Sequence, residues 1–135
     1  MREPPLRFVT ETEIQVEEYP HCRCEWLCRP GIVEAKQLQL VRAIMPPGKA
    51  HRFHKHPDCE EILYVLEGEA EQWVERERRL LRPGDVAHIP RGVVHATHNP
   101  ADFRLVFLAL LSPATGQGPE CVDVYDEEPW CSLHG

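Results

Sequence analysis

Histidines that are able to bind a metal are concentrated in one stretch of the chain. Six of the eight histidines lie at positions 51, 54, 56, 88, 95 and 98. One residue separates His54 from His56, so on a β-strand both side chains project from the same face about 7 Å apart. Two imidazoles on one face can bind a single metal ion. The pair alone is a weak signal, because a chain with this histidine content is expected by chance to contain roughly half a His-x-His pair on average.

The residues that follow this pair supply further donors. Pro57-Asp58 is typical of a turn. After it, Glu61 opens a strand in which it shares its parity with apolar side chains, so it is expected to face the interior. His95 begins another strand after a Pro-x-Gly turn. The predicted metal ligands are His54, His56, Glu61 and His95. Three imidazole nitrogens and one carboxylate oxygen suit a divalent ion of iron, manganese, nickel, cobalt or zinc.

The catalytic residues are not defined by any local spacing. Tyr64 and His88 are weak candidates for proton transfer, and His88 is equally compatible with a packed core position. His98 has the opposite strand parity to His95 and is expected to face away from the metal. His51 is expected at the surface or behind a ligand.

A second group of possible ligands lies near the start of the chain. Cys22, Cys24 and Cys28 stand beside His21. A zinc knuckle normally has two or more residues between paired cysteines and a second pair elsewhere, whereas the nearer pair here is Cys-x-Cys. We therefore expect free thiols that act as small apolar side chains. The first residues lack the apolar segment of a secretion signal, which predicts a reducing, cytoplasmic location.

Composition restricts the class of protein. The chain has 135 residues and 15.6 kDa, 42% of the residues are hydrophobic, and the formal net charge is −7. This length suits one domain, and the acidic balance disfavours nucleic-acid binding. The longest apolar run, 105–111, is far shorter than the roughly 20 residues of a membrane helix. We expect no nucleic-acid partner and no membrane partner.

Short apolar segments between prolines and glycines indicate an all-β fold. The chain has 13 prolines and 8 glycines, and no long segment shows helical periodicity. The predicted strands are 38–45, 61–67, 70–74, 85–89, 93–98 and 103–111, the last being the best candidate for a central strand. The charged segment 75–79 is interpreted as a solvated hairpin end. With eight to ten such strands expected, a closed barrel or a double-sheet jelly roll is predicted.

Two segments resemble the two signatures of the cupin family. The first segment is Gly48-x5-His54-x-His56-x4-Glu61-x6-Gly68, and the second is Gly84-x5-Pro90-x-Gly92-x2-His95-x3-Asn99. The resemblance implies a double-stranded β-helix, a small jelly-roll barrel, with the metal inside it on the four predicted ligands. Residues 1–135 are interpreted as one cupin domain with a motif core at 48–99. An acidic arm or single edge strand is expected at about 1–25, and a C-terminal tail at about 113–135.

Three functions are compatible with such a site. A metal with two open positions supports a dioxygenase, or an isomerase or lyase, that acts on a small polar molecule. The alternatives are a non-catalytic module that binds a metal or small ligand for sensing or storage, and a metal-free sugar epimerase-like cupin. Arg42, Arg52 and Arg104 are candidates for anchoring a substrate carboxylate or for surface ion pairs.

The remaining expectations concern the tail and the assembly. The tail is expected to pack through Tyr125 and Trp130 against the barrel or a partner subunit, whereas His21 and His134 are expected to be exposed. A homodimer is predicted, because a small barrel must cover its sheet edges.

Overall fold

The fold is a two-sheet β-sandwich, as the strand pattern predicts. The computed structural model describes residues 3–114 and 120–134, among which helical structure is confined to a 3-10 turn at Glu11–Glu13 and one short helix, α1. The strands are β1 (Gln15–Glu18), β2 (Arg23–Cys28), β3 (Gln39–Met45), β4 (Ala50–Lys55), β5 (Glu60–Glu67), β6 (Ala70–Val74), β7 (Glu77–Leu81), β8 (Val86–Ile89), β9 (His95–His98), β10 (Leu105–Ser112) and β11 (Val122–Asp123), and α1 is Trp130–Leu133.

The strands form two antiparallel sheets. One sheet has the order β1-β2-β3-β10-β5-β8, and the other has the order β11-β4-β9-β6-β7. Strand β10 lies between β3 and β5, so the most apolar segment is indeed central. Apolar side chains from both sheets, among them Val65 of β5 and Ala70 of β6, form one core. The all-β double-stranded β-helix is thereby confirmed.

Strand alternation decides which side chains face this core. Along β5, buried residues at 61, 63 and 65 alternate with exposed residues at 60, 62 and 64. Strand β3 alternates in the same way, and its last residue, Met45, is fully buried. Because side chains two residues apart share a face, the pattern that buries the core also directs Glu61 into the interior.

The N-terminal segment is more ordered than the sequence suggests. In place of an arm or a single edge strand, it forms two strands, β1 and β2, that extend the larger sheet through β3. These strands are rich in charged residues, which obscures the apolar alternation. Side-chain hydrogen bonds support their pairing. Trp26 Nε1 donates to Glu17 Oε1 at 2.6 Å, and Arg42 Nε donates to Glu25 Oε1 at 2.7 Å.

Segment 75–79 also differs in part from its prediction as a hairpin end. Glu75 and Arg76 form the turn, but Glu77 already begins β7, which pairs with β6 along its full length. Four of the five residues of β7 are exposed. Strand β7 is therefore a charged, exposed strand at the edge of the smaller sheet.

No helix in the described ranges 3–114 and 120–134 has the length and apolar character needed to cross a membrane. The homodimer and the cytoplasmic location stay predictions.

Gly68 and Gly84 provide a matched test of the turn geometry. Both have positive φ, +83° and +96°, but only at Gly68 does an added Cβ collide with a neighbour, the carbonyl oxygen of Arg104. We expect Gly68→Ala to lower the free energy of unfolding by roughly 2–4 kcal/mol, because backbone strain and overpacking add. Gly84→Ala is expected to cost only about 1–2 kcal/mol. Urea unfolding measures the free energy of unfolding of both variants. Equal decreases in the two variants would show that the clash at Gly68 is relieved.

Candidate metal centre

The four predicted ligands converge between the two sheets. His54 lies near the end of β4 directly opposite His95 of β9, His56 follows β4, and Glu61 is the second residue of β5. One donor nitrogen from each of the three histidines lies within 4.8 Å of the others. Glu61 Oε1 is 3.3 Å from His95 Nε2 and 3.6 Å from His56 Nε2. We refer to His54, His56, Glu61 and His95 as the inner site.

Backbone carbonyl groups set the orientation of the three imidazoles. The Nδ1 atoms of His54, His56 and His95 each contact a carbonyl oxygen; these oxygens belong to Arg52, Glu120 and Val93, at 2.7, 2.8 and 3.0 Å respectively. A carbonyl oxygen only accepts, so each Nδ1 carries the proton and donates it. Each Nε2 therefore keeps its lone pair for the interior, as a metal-binding histidine requires.

Two ligand atoms of the inner site contact each other at 3.3 Å but form no hydrogen bond of good geometry within the described part of the chain. His95 Nε2 and Glu61 Oε1 are buried and form no hydrogen bond there. Their residues are only 2% and 6% exposed. A buried polar atom that forms no hydrogen bond is uncommon and lowers the stability of the fold. A divalent cation between these atoms removes that cost, so the residues present fit a metal.

Burial and neighbouring charge determine the protonation of the inner site. Burial holds the pKa of His54 well below its ordinary value, and the positive charges of nearby histidines add to this effect. Burial also lowers the pKa of His56, although Glu61 opposes the shift. At His95, burial is outweighed by Glu61, which raises the pKa. Burial would raise the pKa of Glu61, but His95 and His56 hold it below its ordinary value. The neutral His54 is thus ready to act as a ligand.

The inner site opens into a large cavity. The cavity has a volume of about 1020 Å³, and its apolar wall includes Leu63 and Phe107. Lys49 and Arg52 also line it. The histidines of its wall on the side of the inner site include His21, His51, His54, His56 and His95. The cavity is large enough for a small molecule to reach the inner site.

Sequence comparison decides the family. A profile of the cupin domain matches residues 41–111, more than half of the chain. The chain belongs to the cupin family. An uncharacterised protein of Methanocaldococcus jannaschii is 32% identical over 87 residues, which cover 64% of this cupin and 70% of that protein. This cupin spans between 22% and 62% of five further curated relatives.

Solved structures agree on the barrel. An RmlC-like cupin from Shewanella frigidimarina has a TM-score of 0.69 at 23% identity, covering 81% of this cupin and 92% of that chain. A predicted oxalate decarboxylase from Thermotoga maritima has a TM-score of 0.69 at 26% identity, covering 77% of this cupin and 96% of that chain. The first similarity concerns the fold alone.

The two weak candidates for proton transfer lie away from the cavity. Tyr64 is 39% exposed, because it alternates with the inward-facing Leu63 on β5. His88 is exposed on β8, and its Nε2 lies 3.1 Å from Glu60 Oε2. Neither side chain lines the cavity, so we withdraw both as candidates. For Tyr64 the sequence already indicates this position, because residues 61 and 64 are three apart and therefore lie on opposite faces of a strand.

His51 and Cys121 extend the inner site toward the mouth of the cavity. The His51 ring stacks on His54 with 3.5 Å between centroids and an interplanar angle of 8°, so His51 lies behind a predicted ligand. The His51 Nε2 atom is 3.8 Å from Cys121 Sγ. Cys121 is exposed at the surface, but partial desolvation by its neighbours, followed by the charge of Asp123, raises the pKa of its thiol to about 11. No local spacing predicts this contact, which joins residues 70 positions apart.

Two of the three N-terminal cysteines, Cys22 and Cys24, lie at the same cavity. Cys22 and Cys24 are free thiols whose Sγ atoms are 3.6 Å apart, and both line the wall together with His21. His21, expected to be exposed, is half-buried and lies 4.6 Å from the His51 ring centroid. Their position follows from β2 joining the larger sheet.

Proposed function

We propose that this cupin is a metalloenzyme that binds one divalent transition metal at the inner site and acts on a small carboxylate. The proposal rests mainly on the convergence of three imidazole Nε2 atoms and Glu61 Oε1. Backbone carbonyls orient three of the four ligands, so these side chains lose little conformational entropy when the metal binds.

The bound metal would supply either a Lewis acid or a centre for dioxygen chemistry. The residues of the chain position the metal and the substrate and exclude water from the site. His54, His56, Glu61 and His95 would hold the metal, and the cavity beside them would give a small molecule access to it. Leu63 and Phe107 make that part of the wall apolar, which strengthens electrostatic interactions inside it.

Arg52 supports a carboxylate as the substrate class. Of the three arginines that the sequence suggests, Arg42 bonds Glu25 and Arg104 bonds Glu67, whereas Arg52 lines the cavity. The Arg52 guanidinium lies 3.6 Å from the centroid of the Tyr125 ring, which fixes its direction. An arginine fork is well suited to a carboxylate. The similarity to a predicted oxalate decarboxylase favours the same class.

Steady-state kinetics on a panel of small mono- and dicarboxylates tests the proposal. The metal-loaded wild type is assayed for oxygen uptake and for product release without oxygen, which separates the two reaction classes. We expect Arg52→Ala to raise KM by about 10–100-fold, since a charge-assisted hydrogen bond contributes about 1.5–3 kcal/mol. Metal content is expected to stay unchanged, and Arg104→Ala serves as the control because its guanidinium bonds the exposed Glu67.

Two results would contradict the proposal. An unchanged KM in Arg52→Ala would exclude Arg52 as the carboxylate anchor. Carboxylates that perturb the spectrum of the bound metal without any turnover would instead favour the non-catalytic binding module.

A further inference from the structure

We infer that this cupin has a second divalent-metal site, formed by Glu71, His98 and His134 on the outer face of the smaller sheet. We refer to these three residues as the outer site. It shares no ligand with the inner site and does not depend on the proposed function. The ligand class is a borderline divalent cation such as Zn²⁺, which accepts two imidazoles and one carboxylate.

Strand alternation places two of the three residues on the same outer face. On β6, Gln72 points inward and accepts a hydrogen bond from Thr97 of β9 at 2.6 Å. Glu71 therefore points outward, and it lies directly opposite His98 in the register of β6 and β9. The same alternation makes His98 face away from the inner site, as its parity relative to His95 predicts.

The C-terminal segment brings the third residue to this face. Helix α1 covers a small apolar cluster on the outer side of the sheet, where the Trp130 ring lies 5.1 Å from Phe53. His134 directly follows α1, and its ring centroid lies 3.8 Å from that of His98. The tail thus packs on the barrel of its own chain through Trp130, and His134 is half-buried where exposure was expected.

The donor atoms of the outer site are already close together. One donor atom from each of the three residues lies within 4.8 Å of the others. His134 Nε2 is 3.2 Å from Glu71 Oε2, and the Trp73 indole Nε1 donates to the same oxygen at 3.2 Å. The indole thereby orients the carboxylate, as residues around a metal site commonly do.

His98 supplies the observation that favours a cation over a simple ion pair. Its Nε2 atom is buried and has no hydrogen-bond partner in the described ranges, and the residue is 9% exposed. An ion pair between Glu71 and His134 satisfies those two side chains but leaves this nitrogen without a partner. A cation held by all three donors satisfies His98 as well.

Zinc stoichiometry tests the outer site. Chelator-treated wild type is titrated with Zn²⁺ by calorimetry, and bound zinc is counted by elemental analysis after gel filtration. We expect two equivalents for the wild type and one for His134→Ala. We also expect one for His98→Gln, one for His54→Ala and none for the double variant His54→Ala/His134→Ala. His134 lies at the end of the described chain, so its replacement leaves the barrel core intact.

His88→Ala is the matched control for adventitious binding. His88 and Glu60 form an exposed histidine–carboxylate pair at 3.1 Å, similar in type to the pair of His134 and Glu71. This variant is expected to keep two equivalents. Loss of an equivalent in His88→Ala, or retention of the second equivalent in His134→Ala, would overturn the outer site. Loss of zinc in His54→Ala alone reports on the inner site only, so the two proposals fail separately.

A second readout follows the C-terminal segment itself. A glutamate-specific protease cleaves after the exposed Glu127 when the segment detaches. Zinc at about 100 times its Kd is expected to slow this cleavage by about 100-fold in the wild type and in His54→Ala, because zinc stabilises the closed form by mass action. In His134→Ala the rate is expected not to respond to zinc. Equal protection in His134→Ala would contradict the site.

Discussion

Replacing His54 by alanine is expected to lower the affinity of the inner site for manganese or iron by at least about 100-fold. Removing a residue that only orients a ligand already costs roughly 10–100-fold, so removing the ligand itself must cost more. His54 is the favourable position to test, because its pKa is held well below the ordinary value and it competes little with protons. Glu61→Gln keeps the side-chain volume while removing the anionic oxygen, and the same direction of change is expected.

Chelator competition measures this affinity. The measurement uses the His134→Ala background, so that the outer site does not contribute. His88→Ala in that background is the control, since His88 lies on the exposed face of β8. One equivalent of metal bound to His54→Ala with unchanged affinity would refute the assignment of the inner site.

Removing the metal is expected to lower the melting temperature by roughly 10 °C. A ligand that binds only the folded state at about 100 times its Kd contributes about 2.7 kcal/mol. For a domain of this size, that free energy corresponds to a shift of roughly this amount. The physical reason is local: without a cation, His95 Nε2 and Glu61 Oε1 are buried and form no hydrogen bond in the described ranges.

Thermal unfolding with and without chelator measures the shift. The double variant His54→Ala/His134→Ala is the control, and its melting temperature is expected not to respond to chelator. An unchanged melting temperature of the wild type, after elemental analysis has verified that the metal is gone, would contradict a stabilising metal.

The parts of the fold that local sequence determines were predictable. Glycines and prolines mark the turns, and the apolar segment 103–111 predicts the central strand β10, found at Leu105–Ser112. The two histidines at 54 and 56 and the parity of Glu61 depend only on neighbours along the chain. These features are local, so a single sequence suffices to predict them.

The features that the sequence could not predict depend on distant pairing. Strands β1 and β2 carry many charged residues, and only their pairing with β3 makes them part of the sheet. The partner of His56 lies 64 residues away at Glu120, and His134 meets Glu71 63 residues earlier in the chain. Tyr64 and His88 differ from these cases, because both lie on exposed faces of their strands.

The hydrogen bond between His56 Nδ1 and the Glu120 carbonyl also determines when the inner site can be finished during protein synthesis. The four ligands, His54, His56, Glu61 and His95, all precede Glu120 in the sequence and are therefore synthesised before it. Because a chain is made from its N-terminus and begins to fold as it emerges, the residues of the four ligands emerge before the segment that holds Glu120. Until Glu120 is in place, His54 and His95 have their orienting carbonyls, and His56 does not. Under the proposed function, high-affinity metal loading is expected to follow translation of the C-terminal segment.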